Sequence, residues 1–152
     1  RDVKVVYLAR GVSQHDLVDT KWVADKYSIP GDRYALFAMF RGDPSDGLPG
    51  VKGIGEKGAA IIANHFATVN EALAAARKGH SALTANLAKK IIEGSDYLAI
   101  APTLVHCAKD VALPKLDITM PKAPKDLSKI YAIKEEYGLG ASVDRLISAL
   151  NW

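Results

Sequence analysis

The sequence predicts a mostly α-helical fold, and three observations carry that expectation. Apolar residues recur at helical spacing in several segments, among them Leu17, Val18, Trp22, Val23 and Tyr27, and later Leu83, Leu87, Ile91 and Ile92. Thr68, followed three residues on by Glu71, has the form of a capping box, a signature of helix starts. A single short run, Val3 to Leu8, reads as a buried β-strand.

Taken in order, the elements begin with that run, whose continuous apolar character predicts burial on both faces in a sheet the chain does not itself supply. A helix is expected from Leu17 to Tyr27, ended by Pro30, and a second from about Arg33 to Arg41, closed by Gly42. Residues 42–55, GDPSDGLPGVKGIG, hold too many glycines and prolines for helix or strand and predict a constrained loop. Glu56 opens the next helix, through Ala59, Ile61, Ile62 and Phe66, and Val69 to Arg77 forms another, stopped by Gly79. The stripe of Leu83, Leu87, Ile91 and Ile92 predicts a helix to about Gly94, followed by one from Tyr97 to His106 that contains Pro102. Residues 111–125 contain three prolines and apolar positions at Val111, Leu113, Leu116 and Ile118, which predicts an extended connector lying against something. Two last helices, Leu127 to Tyr137 and Ser142 to Leu150, flank Gly138 and Gly140, one of which is expected to serve as a C-cap.

Composition narrows the function classes. With 152 residues, 49% of them hydrophobic and 24% charged, the chain can bury one sizeable core. Arg1 rather than Met opens it and an apolar run follows at once, so the expectation is a fragment entered in the middle of a fold. No stretch approaches the roughly 18 apolar residues of a membrane span, and the expectation is a soluble protein. Cys107 has no companion for a disulfide, a zinc site or an iron–sulfur cluster, and the four histidines show no ligand spacing, so a cytoplasmic, reducing setting is the default. The net charge of +3 is spread along the chain, so any grip on nucleic acid must rest on a few placed groups and backbone amides.

The chemistry concentrates in residues 42–57. In Val51-Lys52-Gly53-Ile54-Gly55-Glu56-Lys57, the two glycines allow backbone conformations or approaches that a Cβ would obstruct, while Ile54 can tuck into the core as an anchor. The helix starting near Glu56 presents unpaired N–H groups and a positive dipole end, both suited to a phosphate oxygen. Lys52, Gly53, Gly55 and Lys57 are therefore the candidate phosphate-binding residues. A bare G-x-G is more often a simple turn; the apolar anchor and the lysine at the helix start make the longer string more specific. Asp43 and Asp46, three apart in the preceding tight loop, can together face a hard divalent cation such as Mg²⁺. Taken alone, two loop aspartates are more often turn caps than metal ligands. Their place about ten residues before a phosphate clamp is what favours a metal held near a nucleic-acid backbone.

GDPSDGLPGVKGIGEK is similar to the signature of bacterial 5'-3' exonucleases and of the N-terminal nuclease domain of DNA polymerase I, both in the flap endonuclease family. The likeness extends upstream through Val3 to Leu8, the helix around Trp22 and the turn Tyr27-Ser28-Ile29-Pro30, and more loosely downstream. It implies a helix-three-turn-helix DNA-binding bundle of the helix-hairpin-helix type over residues 13–110. On the same resemblance, residues 1–12 are the last strand of an upstream α/β, PIN-like nuclease domain, and residues 111–152 are a connector and two helices packing back on that core. Asp43 and Asp46 then help bind the second of two catalytic metals, Mg²⁺ or Mn²⁺, in two-metal hydrolysis with ions about 4 Å apart. The backbone carbonyls of Val51 and Ile54 become candidates for a potassium ion. The implied substrate is duplex DNA with a 5' flap, a nick or a free 5' end.

Two departures from the family pattern are Gly47, where Asn is common, and Gly58, where Thr is common; both read as changes in loop stiffness. The family's larger carboxylate cluster and basic arch lie upstream of Arg1, and Asp2 reads as a solvated residue before the strand rather than a remnant of that cluster. The alternative is a non-catalytic helix-hairpin-helix module in which the aspartates only shape the turn. A glycosylase of the same class is disfavoured, because the paired Asp precede the hairpin and the cysteines some such enzymes use for a cluster are missing. Trp22 and Trp152 fit packing better than base stacking. For Lys89 and Lys90, a solvated face is at least as good a reading as contact with a DNA strand. The ending at Asn151-Trp152 favours a free-standing enzyme over a polymerase fusion.

Overall fold

The computed structural model describes residues 4–8, 11–117 and 119–152; the expectations for Asp2, Val3 and Ile118 fall outside them. The chain divides into two compact units, Arg1–Lys109 and Asp110–Trp152. Among the described residues no helix is long and apolar enough to cross a membrane.

The first unit opens with a hairpin. Strand β1 (Val5–Tyr7) pairs antiparallel with β2 (Asp16–Val18), Val6 opposite Leu17. This corrects two expectations. The first strand is not buried on both faces: Val5, Val6 and Tyr7 are about half exposed, because a two-stranded sheet leaves its faces uncovered. Leu17 and Val18 belong to the second strand rather than to the helix. The helix cannot start earlier because Asp19 is extended, and its carboxylate accepts the Trp22 N–H at 2.8 Å, an N-cap that fixes the start of α1 (Thr20–Tyr27). Ser28, in the left-handed region at φ 55°, stops α1 two residues before Pro30.

A 3₁₀ turn (Gly31–Arg33) leads into α2 (Tyr34–Arg41), in which Leu36, Phe37, Ala38, Met39 and Phe40 are all buried. A helix apolar on every side belongs at the centre of a core. Around it stand α3 (Glu56–His65) and α6 (Ser95–Val105), with α4 (Val69–Lys78) and α5 (Ala85–Glu93) completing the bundle. Thr68 caps α4 as expected, accepting the Glu71 N–H at 3.1 Å; the Glu71 carboxylate reaches back to the Ala67 N–H rather than to that of Thr68. Leu83, Leu87 and Ile91 are buried, whereas Ile92, about 100° further round the helix than Ile91, is exposed. Pro102 sits inside α6, as anticipated.

In the second unit residues 111–117 form no regular element, and Val111, Leu113 and Leu116 are exposed. Helices α7 (Leu127–Glu136) and α8 (Ala141–Leu150) pack on each other, joined by a Lys134–Asp144 ion pair at 2.9 Å. Gly138 at φ 61° takes the left-handed position after α7 that the sequence assigned to one of the two glycines. The Trp152 indole donates to the Pro121 carbonyl at 3.1 Å, which favours packing over stacking on a base.

Candidate functional site

The segment between α2 and α3 is two loops built on one neck. Asp43 and Leu48 exchange backbone hydrogen bonds, each N–H donating to the other's carbonyl at 2.9 Å, so residues 43–48 close on themselves. At the base, Gly42 and Gly50 cross so tightly that a Cβ on Gly50 would stand 2.5 Å from the Gly42 nitrogen, and one on Gly42 would stand 2.9 Å from the Gly50 nitrogen. Both have positive φ, 83° and 67°, and only glycine meets the two demands together.

Inside the closed loop, Pro44–Asp46 makes one 3₁₀ turn. The Asp43 carboxylate caps it, accepting the Ser45 N–H at 3.1 Å and the Ser45 hydroxyl at 2.6 Å. The Ser45 hydroxyl is the main reason the Asp43 carboxyl is held below the usual carboxylate range; its backbone N–H and the Arg41 guanidinium, 3.7 Å away, add to the effect. Asp43 is therefore ionised at neutral pH. Asp46 is exposed, and both acids line the same two cavities, of about 430 and 610 Å³. Among the described residues no group of three or more His, Cys, Asp or Glu could hold a metal. Mg²⁺ is the kind of ion that can be bound through as few as one or two carboxylates while keeping several waters. Gly47 ends the turn at φ 70°, a left-handed position that suits Gly or Asn alike.

The second loop is pinned from inside. The Val51 and Ile54 side chains are buried, while Lys52, Gly53, Gly55, Glu56 and Lys57 are exposed. The Val51 N–H donates to the Phe40 carbonyl at 3.0 Å, and the Val51 carbonyl accepts the Ile54 N–H at 2.9 Å. A Cβ on Gly94, at the α5–α6 junction, would stand 2.8 Å from a Val51 methyl, so that junction is shaped around the Val51 side chain. Gly53 needs its glycine, at φ 79° with the Lys90 side chain lying 3.0 Å from where a Cβ would be. Gly55 does not: its φ is −95° and nothing lies within 4 Å of a Cβ, so the expected obstruction there is absent and the backbone faces open space. Gly55 precedes α3 without a capping side chain, leaving the first-turn N–H groups free, with Lys57 exposed beside them.

Gly58 is a further correction. It lies within α3, not in a loop, and its Cβ would press on Ile54 at 3.2 Å and Leu87 at 3.4 Å, so its smallness concerns helix packing rather than loop stiffness. Three groups have supporting roles that sequence reasoning did not assign to them. Ser45 was legible in principle, as the residue two after an Asp that opens a turn. Arg41, which stacks on Phe37 and faces Asp43, and Lys90, which donates to the Gly53 carbonyl, depend on tertiary placement.

Residues 29–126 match the family model described as 5'-3' exonuclease, C-terminal SAM fold. The chain is 41% identical over 150 residues to a 5'-3' exonuclease of Streptomyces coelicolor, covering 99% of this chain and 50% of that protein. It is 31% identical over 153 residues to a DNA polymerase I of Mycobacterium tuberculosis, covering 98% of this chain and 16% of that protein. It is 32% identical over 96 residues to the flap endonuclease Xni of Pseudoalteromonas translucida, covering 63% of this chain and 35% of that one. The chain thus spans about half the length of the exonuclease relative and smaller shares of the other two. With a mostly helical bundle over the matched residues, the chain belongs to the 5'-3' exonuclease family, as its C-terminal SAM-fold portion.

Proposed function

We propose that this chain is the duplex-binding portion of a structure-specific 5'-3' exonuclease or flap endonuclease that hydrolyses DNA phosphodiesters, and that it supplies part of one metal site. The observation that carries the reading is the shared neck: two acids lining one cavity are joined through it to an exposed bend that leads into a helix start with no capping side chain. Gly53, Gly55 and the first turn of α3 hold the sugar-phosphate chain through N–H groups, with Lys52 and Lys57 adding charge. Asp43 and Asp46 hold Mg²⁺ or Mn²⁺, with Ser45 and Arg41 keeping Asp43 ionised and aimed. When bound, such an ion activates water and stabilises charge on the phosphate. The Val51 and Ile54 carbonyls are the place for a potassium ion.

The rest of the active site belongs to an upstream nuclease domain of the same protein. The substrates are duplexes with a 5' flap, a nick or a free 5' end, in cytoplasmic DNA replication and repair. The test is Asp43→Ala with Asp46→Ala in the full-length protein with Mg²⁺: cleavage is expected to vanish while duplex binding stays. Cleavage at the original rate overturns the assignment.

One observation favours the second reading, a non-catalytic DNA-binding module: the Asp43 carboxylate is already engaged by Ser45. Titration with Mn²⁺ separates the two. A metal-binding pair broadens the NMR signals of Asp43 and Asp46, whereas a pair that only shapes a turn leaves them unchanged.

A further inference from the structure

Lys89 and Lys90 are neighbours on α5, but the fold gives them different surroundings. Lys89 is exposed and lies 3.8 Å from Glu93 on its own helix. Lys90 is half-buried, and its ammonium donates to the Gly53 carbonyl at 2.8 Å, across 37 residues of sequence. Its chain passes directly over the glycine, with Cε 3.0 Å from the position a Cβ would take. The peptide group joining Gly53 to Ile54 is therefore held at both edges: its carbonyl by Lys90 and its N–H by the Val51 carbonyl at 2.9 Å. A glycine is free to leave the left-handed region, and the Lys90 bond adds to the Val51–Ile54 bond in holding it there. The next amides along the chain, from Gly55 into α3, follow that plane directly and have no side-chain cap of their own.

We propose that Lys90 is a positioning residue for the bend: it acts through the Gly53 carbonyl to fix the peptide plane ahead of the free amides, without itself contacting DNA. The inference rests on the reading that the bend binds the DNA backbone. It differs from a direct phosphate contact in a measurable way. A lysine on a phosphate contributes one released counterion to the salt dependence of binding, whereas a lysine spent on a carbonyl contributes none.

The experiment compares Lys90→Met, Lys90→Arg and Lys89→Met with the unmodified protein, using a short DNA duplex over a salt series, thermal melting, and the amide NMR signals of residues 53–57 without DNA. Lys90→Met is expected to weaken duplex binding about tenfold, the scale of one charge-assisted hydrogen bond, with an unaltered salt slope and little change in melting temperature. The signals of residues 53–57 should move in Lys90→Met even without DNA. Arginine, which can donate to the same carbonyl, should recover most of the affinity, and Lys89→Met should lose less than twofold. Unchanged affinity in Lys90→Met overturns the inference alone, as does a salt slope reduced by one ion with the amide signals in place. If the unmodified protein fails to bind the duplex, the proposed function falls, and the positioning role with it.

Discussion

The loop that carries Asp43 and Asp46 and the bend at Gly53 are only a few residues apart, yet they are held in shape by different physics. The acid loop encloses no buried residue between Asp43 and Leu48; its shape comes from one backbone pair and from an aspartate bonded to the serine two positions on. The bend is anchored by two buried side chains, one against the junction of two helices, and by a lysine from the first of those helices. Side-chain polarity alone would have ranked them as similar loops. The comparison teaches that the acid loop is defined locally and the bend by the core, so they should fail in different ways.

The largest effect is expected from Ile54→Ala. Emptying a buried isoleucine site costs about 2–5 kcal/mol. Because Ile54 meets the core beneath the bend, duplex binding should fall together with the urea midpoint, while Asp43 keeps its bond to Ser45. A variant as stable as the parent would show that the bend is not anchored by the core.

Lys57→Ala should act on binding without touching the fold. Its charge is exposed in the first turn of α3, so the expected outcome is weaker duplex binding with a salt slope reduced by about one ion. An unaltered slope would restrict the contact to backbone amides.

The smallest effect is Ser45→Ala, which changes the acid loop alone. The native pKa of Asp43 is depressed, so the stabilisation it provides is present above the unfolded value and lost as pH falls through the lower folded value. Removing the hydroxyl, the leading cause, should raise the Asp43 midpoint toward the ordinary carboxylate value in a carboxyl-carbon NMR titration. A midpoint that stays put would assign the depression to the backbone N–H of residue 45 and to Arg41 instead.

Most of the helices were legible in the chain because their starts and stops are written in local chemistry: Thr68 with Glu71, Gly79 and Gly138 are each sufficient to place an end. The hairpin was not, since Leu17 and Val18 continue the helical period of Trp22 and Val23; only the extended backbone at Asp19 separates them. In the site, Asp43, Asp46 and the glycine bend stand out because their spacing is short. Lys90 could not be singled out from Lys89, because what distinguishes them is a carbonyl brought close by the fold. Gly55 and Gly58 show the opposite failure: identical residues three positions apart, one facing open space and the other wedged between Ile54 and Leu87.

The crossing of Gly42 and Gly50 has one more outcome. A turn sealed at its stem behaves as a cassette: the interior between Pro44 and Gly47 can be exchanged while the bend beyond it is left as it was. A methyl group at the stem has no such privacy, because it would pry apart the backbone segments that set both halves at once.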